Sequence, residues 1–253
     1  MGQNKSGVDI IENQGFIPDP FTCEDYARRT ANFSVIGGAV VSGSFQGFDQ
    51  TYLVDALQKL GSTYVGVTQL PQTASDEVIV TLNKQGVRAI RFNVKRGGSE
   101  DISKLDYFAR RVYELVGWHA ELYIDSKDFS EIASTVGNLP AVSIDHLGLS
   151  DEGFDVLLSL VDKGVRVKAT GFGRVHLNLK TAIRSISSIN PNALMFGTDL
   201  PSTRANRPFH DSDLDILLDA LGDTDLAEKV LFRNALEWYR IPKMDTKENN
   251  MFL

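Results

Sequence analysis

The sequence contains a single cysteine, Cys23, in 253 residues. That excludes a disulfide framework and any zinc knuckle built on cysteine, and it suits a reducing cytoplasm. Histidine is scarce as well. The four are His119, His146, His176 and His210, with no His-x-His and no His-Glu-x-x-His. No stretch approaches the ~18 consecutive apolar residues of a membrane span. Residues 1–7 are polar and carry no apolar core of a secretory signal, so the expectation is a soluble, cytoplasmic protein. A serine-nucleophile elbow of the form Gly-x-Ser-x-Gly is missing, and Val41-Ser-Gly-Ser-Phe-Gln-Gly47 resembles it only superficially. Cys23, at the start of an N-terminal helix, is not expected to act as a nucleophile. Internal repeats, low-complexity tracts and Pro/Ser-rich linkers are absent too. The formal net charge of −7 argues against general affinity for nucleic acid or anionic membrane, while leaving room for a local basic pocket.

What remains is ordinary globular material. A hydrophobic share of 42% and a charged share of 23% can fill a substantial core, and the length fits one domain over residues 1–253. Apolar runs alternate with helical patterns along the chain. Strands are expected at 35–41, 64–68, 87–94, 118–124, 141–145, 165–169 and 193–196, with a further short one at 8–11. Helices are expected behind a Thr22 cap, then at 52–60, 75–86, 102–116, 128–136, 151–163, 181–189, 212–221 and 226–239. Strand followed by helix, repeated seven or eight times, is the signature of a (β/α)₈ barrel of the TIM type. An open doubly wound sheet is the second choice, disfavoured because no glycine-rich phosphate loop closes an early strand: Gly37-Gly38 opens one instead.

Barrel chemistry sits where strands end, so those positions form one list. Ser42 and Ser44 follow the 35–41 strand, and Thr68 and Gln69 follow the next. Arg91 and Asn93 come next, with Lys95 and Arg96 beyond. After them stand Glu121, Tyr123 and Asp125, then Asp145 and His146, then Lys168, Thr170 and Arg174. Asp199 closes the last strand, ahead of a loop with Arg204 and Arg207. A period of two puts Arg91 with Asn93, and His119 with Glu121, Tyr123 and Asp125.

Each has a plain alternative. Asp199 can accept a proton from water, or simply cap a turn. Arg91 can bind a substrate carboxylate, or pair with Glu121 on the adjacent strand. Arg174 can do the former, or sit solvated in its loop. Tyr123 is equally at home as a core aromatic. His119 lies low in its strand, where a structural role is expected, and His146 at a strand end is the better candidate. A metal site of His146, Asp199 and one more carboxylate can be drawn, though no spacing requires it.

Gly86-Val-Arg-Ala-Ile-Arg-Phe-Asn93, Ser143-Ile-Asp-His-Leu-Gly148 and Phe196-Gly-Thr-Asp-Leu-Pro201 taken together resemble the amidohydrolase superfamily. The resemblance is to its amidohydrolase-related branch, which includes 2-pyrone-4,6-dicarboxylate lactonase, and it runs from about Gly15 to Arg240. It implies a distorted barrel and hydrolysis of a cyclic ester, with Asp199 taking a proton from the attacking water and His146 as the sixth-strand histidine. By the same resemblance Arg91 and Arg174 look like substrate-carboxylate arginines, and Ser44 and Tyr123 fall near substrate-contacting positions. Arg204 and Arg207 join the substrate-binding set. Where the superfamily has Asp-x-His-x-His on its first strand, this chain has Val8-Asp-Ile-Ile-Glu12, so that motif is degraded or missing. The lactonase branch works without metal. The implied cofactor is therefore none, with zinc or manganese as the alternative. The implied partner is a small carboxylated lactone, and a homodimer stays open. A metal-dependent amidohydrolase or decarboxylase, and a non-catalytic barrel binding an acidic metabolite, are the other readings.

Overall fold

The computed structural model describes residues 12–241. Seven parallel strands form one sheet in sequence order: β1 (Gly38–Val41), β2 (Tyr64–Thr68), β3 (Val87–Phe92), β4 (His119–Leu122), β5 (Val142–Ile144), β6 (Arg166–Ala169) and β7 (Leu194–Phe196). Parallel neighbours in strict order, joined by helical crossovers, are the winding of a (β/α)₈ barrel. The expected α/β barrel class is what the chain adopts. The short strand expected at 8–11 lies outside the described residues, as does the segment standing in place of the Asp-x-His-x-His motif.

The crossovers are α2 (Thr51–Leu60), α3 (Asp76–Lys84), α4 (Leu105–Val116), α5 (Ala133–Val136), α6 (Phe154–Asp162) and α7 (Leu179–Ile189). Helix α1 (Cys23–Arg29) precedes the sheet, and α8 (Ser212–Leu221), α9 (Thr224–Glu228) and α10 (Asn234–Trp238) follow it. The cap expected at Thr22 is a full capping box: its hydroxyl takes the Asp25 amide while the Asp25 carboxylate takes the Thr22 amide.

Three elements depart from their expected form. The strand expected from residue 35 begins at Gly38, because its partner begins at Tyr64, and Val35 and Ile36 stay exposed. The helix expected at 128–136 divides into a tight turn at Ser126–Glu131 and the short α5. The long terminal helix is interrupted by a wider π turn at Lys229–Arg233 between α9 and α10. Apolar periodicity cannot foresee such an insertion, which is a local slip of the hydrogen-bond ladder.

Two apolar cores flank the sheet. The outer one packs Ile90, Phe92, Leu122, Ile144, Val167 and Leu194 against helix residues such as Leu53, Phe108, Leu157 and Ile183. The inner one is small: Val65, Val67, Ala89 and Met195 are covered by Tyr239 and Ile241 from the end of the described chain. These inner residues come from β2, β3 and β7. The strands β3 to β6 instead place Arg91, His119, Glu121, Ser143 and Lys168 in the interior, all buried. A barrel lined on one side by aliphatic groups and on the other by charge positions its chemistry on the charged side.

Candidate active site

The buried charges on β3 to β6 are paired in a way that strand alternation alone does not give. Arg91 and Glu121 are register partners on β3 and β4, but they do not pair. Arg91 Nη2 donates to Asp145 Oδ2 at 2.5 Å and its Nη1 to the Ser42 carbonyl at 2.8 Å. Glu121 is taken by Lys168, whose Nζ lies 2.5 Å from Glu121 Oε2 and 3.1 Å from Asp145 Oδ1. The Tyr239 hydroxyl adds a 3.2 Å bond to Glu121 Oε2. Burial works against the charged form of Asp145, yet Lys168 and Arg91 hold its carboxyl well below the usual range. Burial opposes charge on Lys168 too, and Asp145 and Glu121 overcome it, so its ammonium is held charged.

Above this network the strand ends carry the groups that face one another. Arg91 lies 5.4 Å over the Tyr123 ring, and Tyr123 meets the His146 ring edge-on at 5.0 Å. His146 Nδ1 bonds Thr170 Oγ1 at 2.8 Å, and its Nε2 faces Asp199 Oδ1 at 3.9 Å. Arg174 Nε donates to Asp199 Oδ2 at 2.6 Å. The loop reading of Arg174 is therefore incorrect. Its side chain is 10% exposed, drawn inward by the Asp199 carboxylate.

Backbone geometry produces this convergence. His146 and Leu147 adopt φ of 52° and 54° and Leu149 73°, so the chain makes a left-handed turn directly after β5. Asp199 is also left-handed, at φ 56°. Between the two sits Gly171 at φ +59°, where a Cβ would come within 2.6 Å of His146 Nδ1 and 3.0 Å of Asp199 Oδ2. Only a residue without a side chain lets the β6 loop pass between them.

The remaining expected residues divide. Ser44 Oγ donates to Asn13 Oδ1 at 3.2 Å, and Arg204 Nη1 reaches the same oxygen at 3.1 Å. Arg204 also lies 4.7 Å over the Phe16 ring. Burial and the like charge of Arg96 depress its pKa, which places two guanidinium groups near each other. The Nε atoms of both are buried without a partner among the described residues. Arg207, by contrast, forks onto Asp213 in the first turn of α8 at 2.9 and 2.5 Å. Gln69 Nε2 donates to the carbonyls of Gly43, Gly47 and Gly98 at 3.2, 2.9 and 2.9 Å, tying loops together.

The amidohydrolase family matches residues 4–241, nearly the whole chain. This chain belongs to the amidohydrolase family. The 2-pyrone-4,6-dicarboxylate hydrolase of Comamonas testosteroni is 27% identical over 232 residues, spanning 79% of this chain and 74% of its own. A probable 2-pyrone-4,6-dicarboxylic acid hydrolase of Acinetobacter baumannii, solved with citric acid bound, superposes with a TM-score of 0.79 at 21% identity. That match covers 92% of this chain and 94% of the other. A Burkholderia multivorans amidohydrolase with bound zinc superposes at TM-score 0.67 and 12% identity, covering 88% and 89%. The two structural likenesses are likenesses of fold.

Whether this amidohydrolase site suits a metal can be judged from its donors. Among the described residues no three histidine, cysteine, aspartate or glutamate side chains are grouped to hold an ion. Next to His146, Asp145 is held by Arg91 and Lys168, and Asp199 by Arg174. Cations take both oxygens of Asp145 and one of Asp199, so the described residues leave His146 and a single Asp199 oxygen, fewer than the three ligands a divalent site needs, and this donor set does not fit one.

Sequence reasoning placed Lys168 and Thr170 at a strand end without giving them a part, and it passed over Gly171 and Tyr239. A lysine inside a buried strand was the available signal, since Lys is almost never fully buried unless paired. Gly171 and Tyr239 left none, because their importance is a distance across the fold.

Both buried histidines make the protein sensitive to mild acid. Burial, then Lys168 and Arg240, holds His119 well below its usual 6.5; burial also lowers His146, with Asp199 and Asp145 opposing. The unfolded chain takes up these protons near pH 6.5 and the folded chain only at lower pH, so stability falls as pH drops below 6.5. The His119 contribution reaches about 1.4 kcal/mol per pH unit, and His146 adds in the same direction. Urea midpoints at pH 7.5 and 5.5 check this. The midpoint should fall, and His119→Gln should remove part of the fall. A flat profile in the unaltered chain would contradict it.

Proposed function

We propose that this amidohydrolase opens a carboxylate-bearing lactone, with water activated by Asp199. The observation that supports it most is Asp199 held between Arg174 and His146 at the carboxyl end of the barrel, 2.6 Å from one and 3.9 Å from the other. The names of the Comamonas and Acinetobacter relatives point the same way, and the latter's citric acid is a carboxylate ligand.

In this reading the water oxygen bonds to the lactone carbonyl carbon while Asp199 takes its proton. The tetrahedral intermediate then breaks the ring carbon–oxygen bond, and the proton on Asp199 passes to the departing ring oxygen. Burial keeps His146 neutral, and in the tautomer whose Nδ1 accepts from the Thr170 hydroxyl, its Nε2–H is the donor for the carbonyl oxygen as it becomes an oxyanion. A general base supplies typically ~10²–10⁴-fold, so oriented donors and positioning carry the rest. Arg174, Arg91 and the Arg96–Arg204 pair supply the positive charge for the substrate's acid groups, with Ser44 and Tyr123 shaping the pocket wall. Arg207 ties its loop to the start of α8 through Asp213. This reading needs no metal: among the described residues His146 and one Asp199 oxygen are the donors left, too few for a divalent site.

A panel of carboxylated and neutral lactones, with and without chelator, tests this. Carboxylated lactones should be hydrolysed and neutral ones left alone, at rates unchanged after chelation and dialysis. Their hydroxy-acid products should raise the melting temperature, since a ligand of the folded state stabilises it. Activity lost to chelator and restored by zinc or manganese would replace this mechanism with a metal-dependent one. Binding of di-acids with no turnover of any lactone would leave a binding protein.

A further inference from the structure

We infer that Lys168 is a positioning residue: by occupying one oxygen of Asp145, it keeps the carboxylate from closing as a two-toothed fork on Arg91. The side-on fork of a guanidinium is made by Nε–H and Nη2–H together, and a free carboxylate fills both. Here Asp145 Oδ2 fills the Nη2 side at 2.5 Å. Nε of the same fork is buried and meets no acceptor among the described residues. The second oxygen that would satisfy it, Asp145 Oδ1, is instead 3.1 Å from Lys168 Nζ. An unsatisfied buried donor is destabilising, so the half-filled fork persists only while something holds Oδ1 away.

Lys168 can do that because it is itself anchored. Glu121 Oε2 lies 2.5 Å from Nζ and also accepts from Tyr239, which reaches up from the residue following α10. The order of contacts is therefore Tyr239, Glu121, Lys168, Asp145, Arg91. At its far end Arg91 is held by single bonds to Asp145 and the Ser42 carbonyl, with its plane against Tyr123. Loss of Lys168 frees Oδ1 to swing onto Nε. The guanidinium then turns toward Asp145, away from the Ser42 carbonyl and the Tyr123 ring. This rests on the proposed function only for the consequence that the turn weakens carboxylate binding at the mouth.

Lys168→Met alone leaves two buried carboxylates facing one cation and is expected to lower the melting temperature steeply. Lys168→Met with Glu121→Gln restores charge balance and should recover most of that stability. In both, the Arg91 Nε–H resonance, assigned by its loss in Arg91→Lys, should move downfield as the carboxylate closes on it. Citrate affinity measured calorimetrically should fall about tenfold or more in the double variant. A double variant with recovered melting temperature, an unmoved Nε–H resonance and unchanged citrate affinity would overturn the inference and reduce Lys168 to a counter-charge. Should the unaltered chain bind no citrate, the carboxylate reading of the mouth fails. The resonance, which needs no ligand, still decides whether Lys168 sets the Arg91 fork.

Discussion

Asp199→Asn is expected to lower kcat on a carboxylated lactone by about 10²–10⁴-fold while the fold survives. The substitution keeps size and an acceptor for Arg174 Nε, so the 2.6 Å contact has a neutral replacement. What it removes is the oxygen that takes the proton from water. A change confined to the chemical step lowers kcat and kcat/KM together, leaving binding of the hydroxy-acid product near that of the unaltered chain. Melting temperature should move little, because one charge-assisted bond becomes an ordinary one, a difference of about 1 kcal/mol. Turnover retained within a factor of ten would take Asp199 out of the mechanism.

Gly171→Ala should be nearly as damaging, although the glycine has no side chain to take part in chemistry. Its backbone is at φ +59°, which alanine adopts at a cost of about 1–2 kcal/mol. The larger effect is steric. The new methyl would stand 2.6 Å from His146 Nδ1, 3.0 Å from Asp199 Oδ2 and 3.0 Å from Arg174 Cδ, so three site residues must move together. Displacement of about 1 Å at a reacting centre can cost ~10²-fold, and kcat/KM is expected to fall by at least that factor. The thermal midpoint should fall modestly by comparison. Wild-type kinetics in Gly171→Ala would mean that His146 and Asp199 are not held as a unit.

These two substitutions also separate what a linear reading can reach from what it cannot. The place of Asp199 was legible: a carboxylate after a short apolar strand, before a loop with arginines, marks a strand end at the site. His146 was legible for the same reason. Gly171 looked like any loop glycine, since its part is defined by residues 25 and 28 positions away in the chain. The ion pairs show the same limit. Strand alternation put Arg91 and Glu121 on one face and made them natural partners, and they are indeed side by side in register. Yet Arg91 pairs with Asp145, two strands over, because the interior curves and brings β3, β5 and β6 side chains to a shared centre. A carboxylate with two cations in reach divides between them. Pairwise rules for a flat sheet do not contain that option.

From its sequence alone this protein is an α/β chain of alternating strands and helices, with polar residues gathered at the strand ends. Those follow from local properties: apolar periodicity, caps and glycine stops, each set within a few residues. Only the tertiary structure decided that Arg174 turns inward to Asp199, that Arg207 is spent on Asp213, and that Lys168 stands between two carboxylates. Such pairings depend on which charges are left together when water is removed. Electrostatics in a low-dielectric interior is a property of distances across the fold, and distance is what a linear chain does not specify.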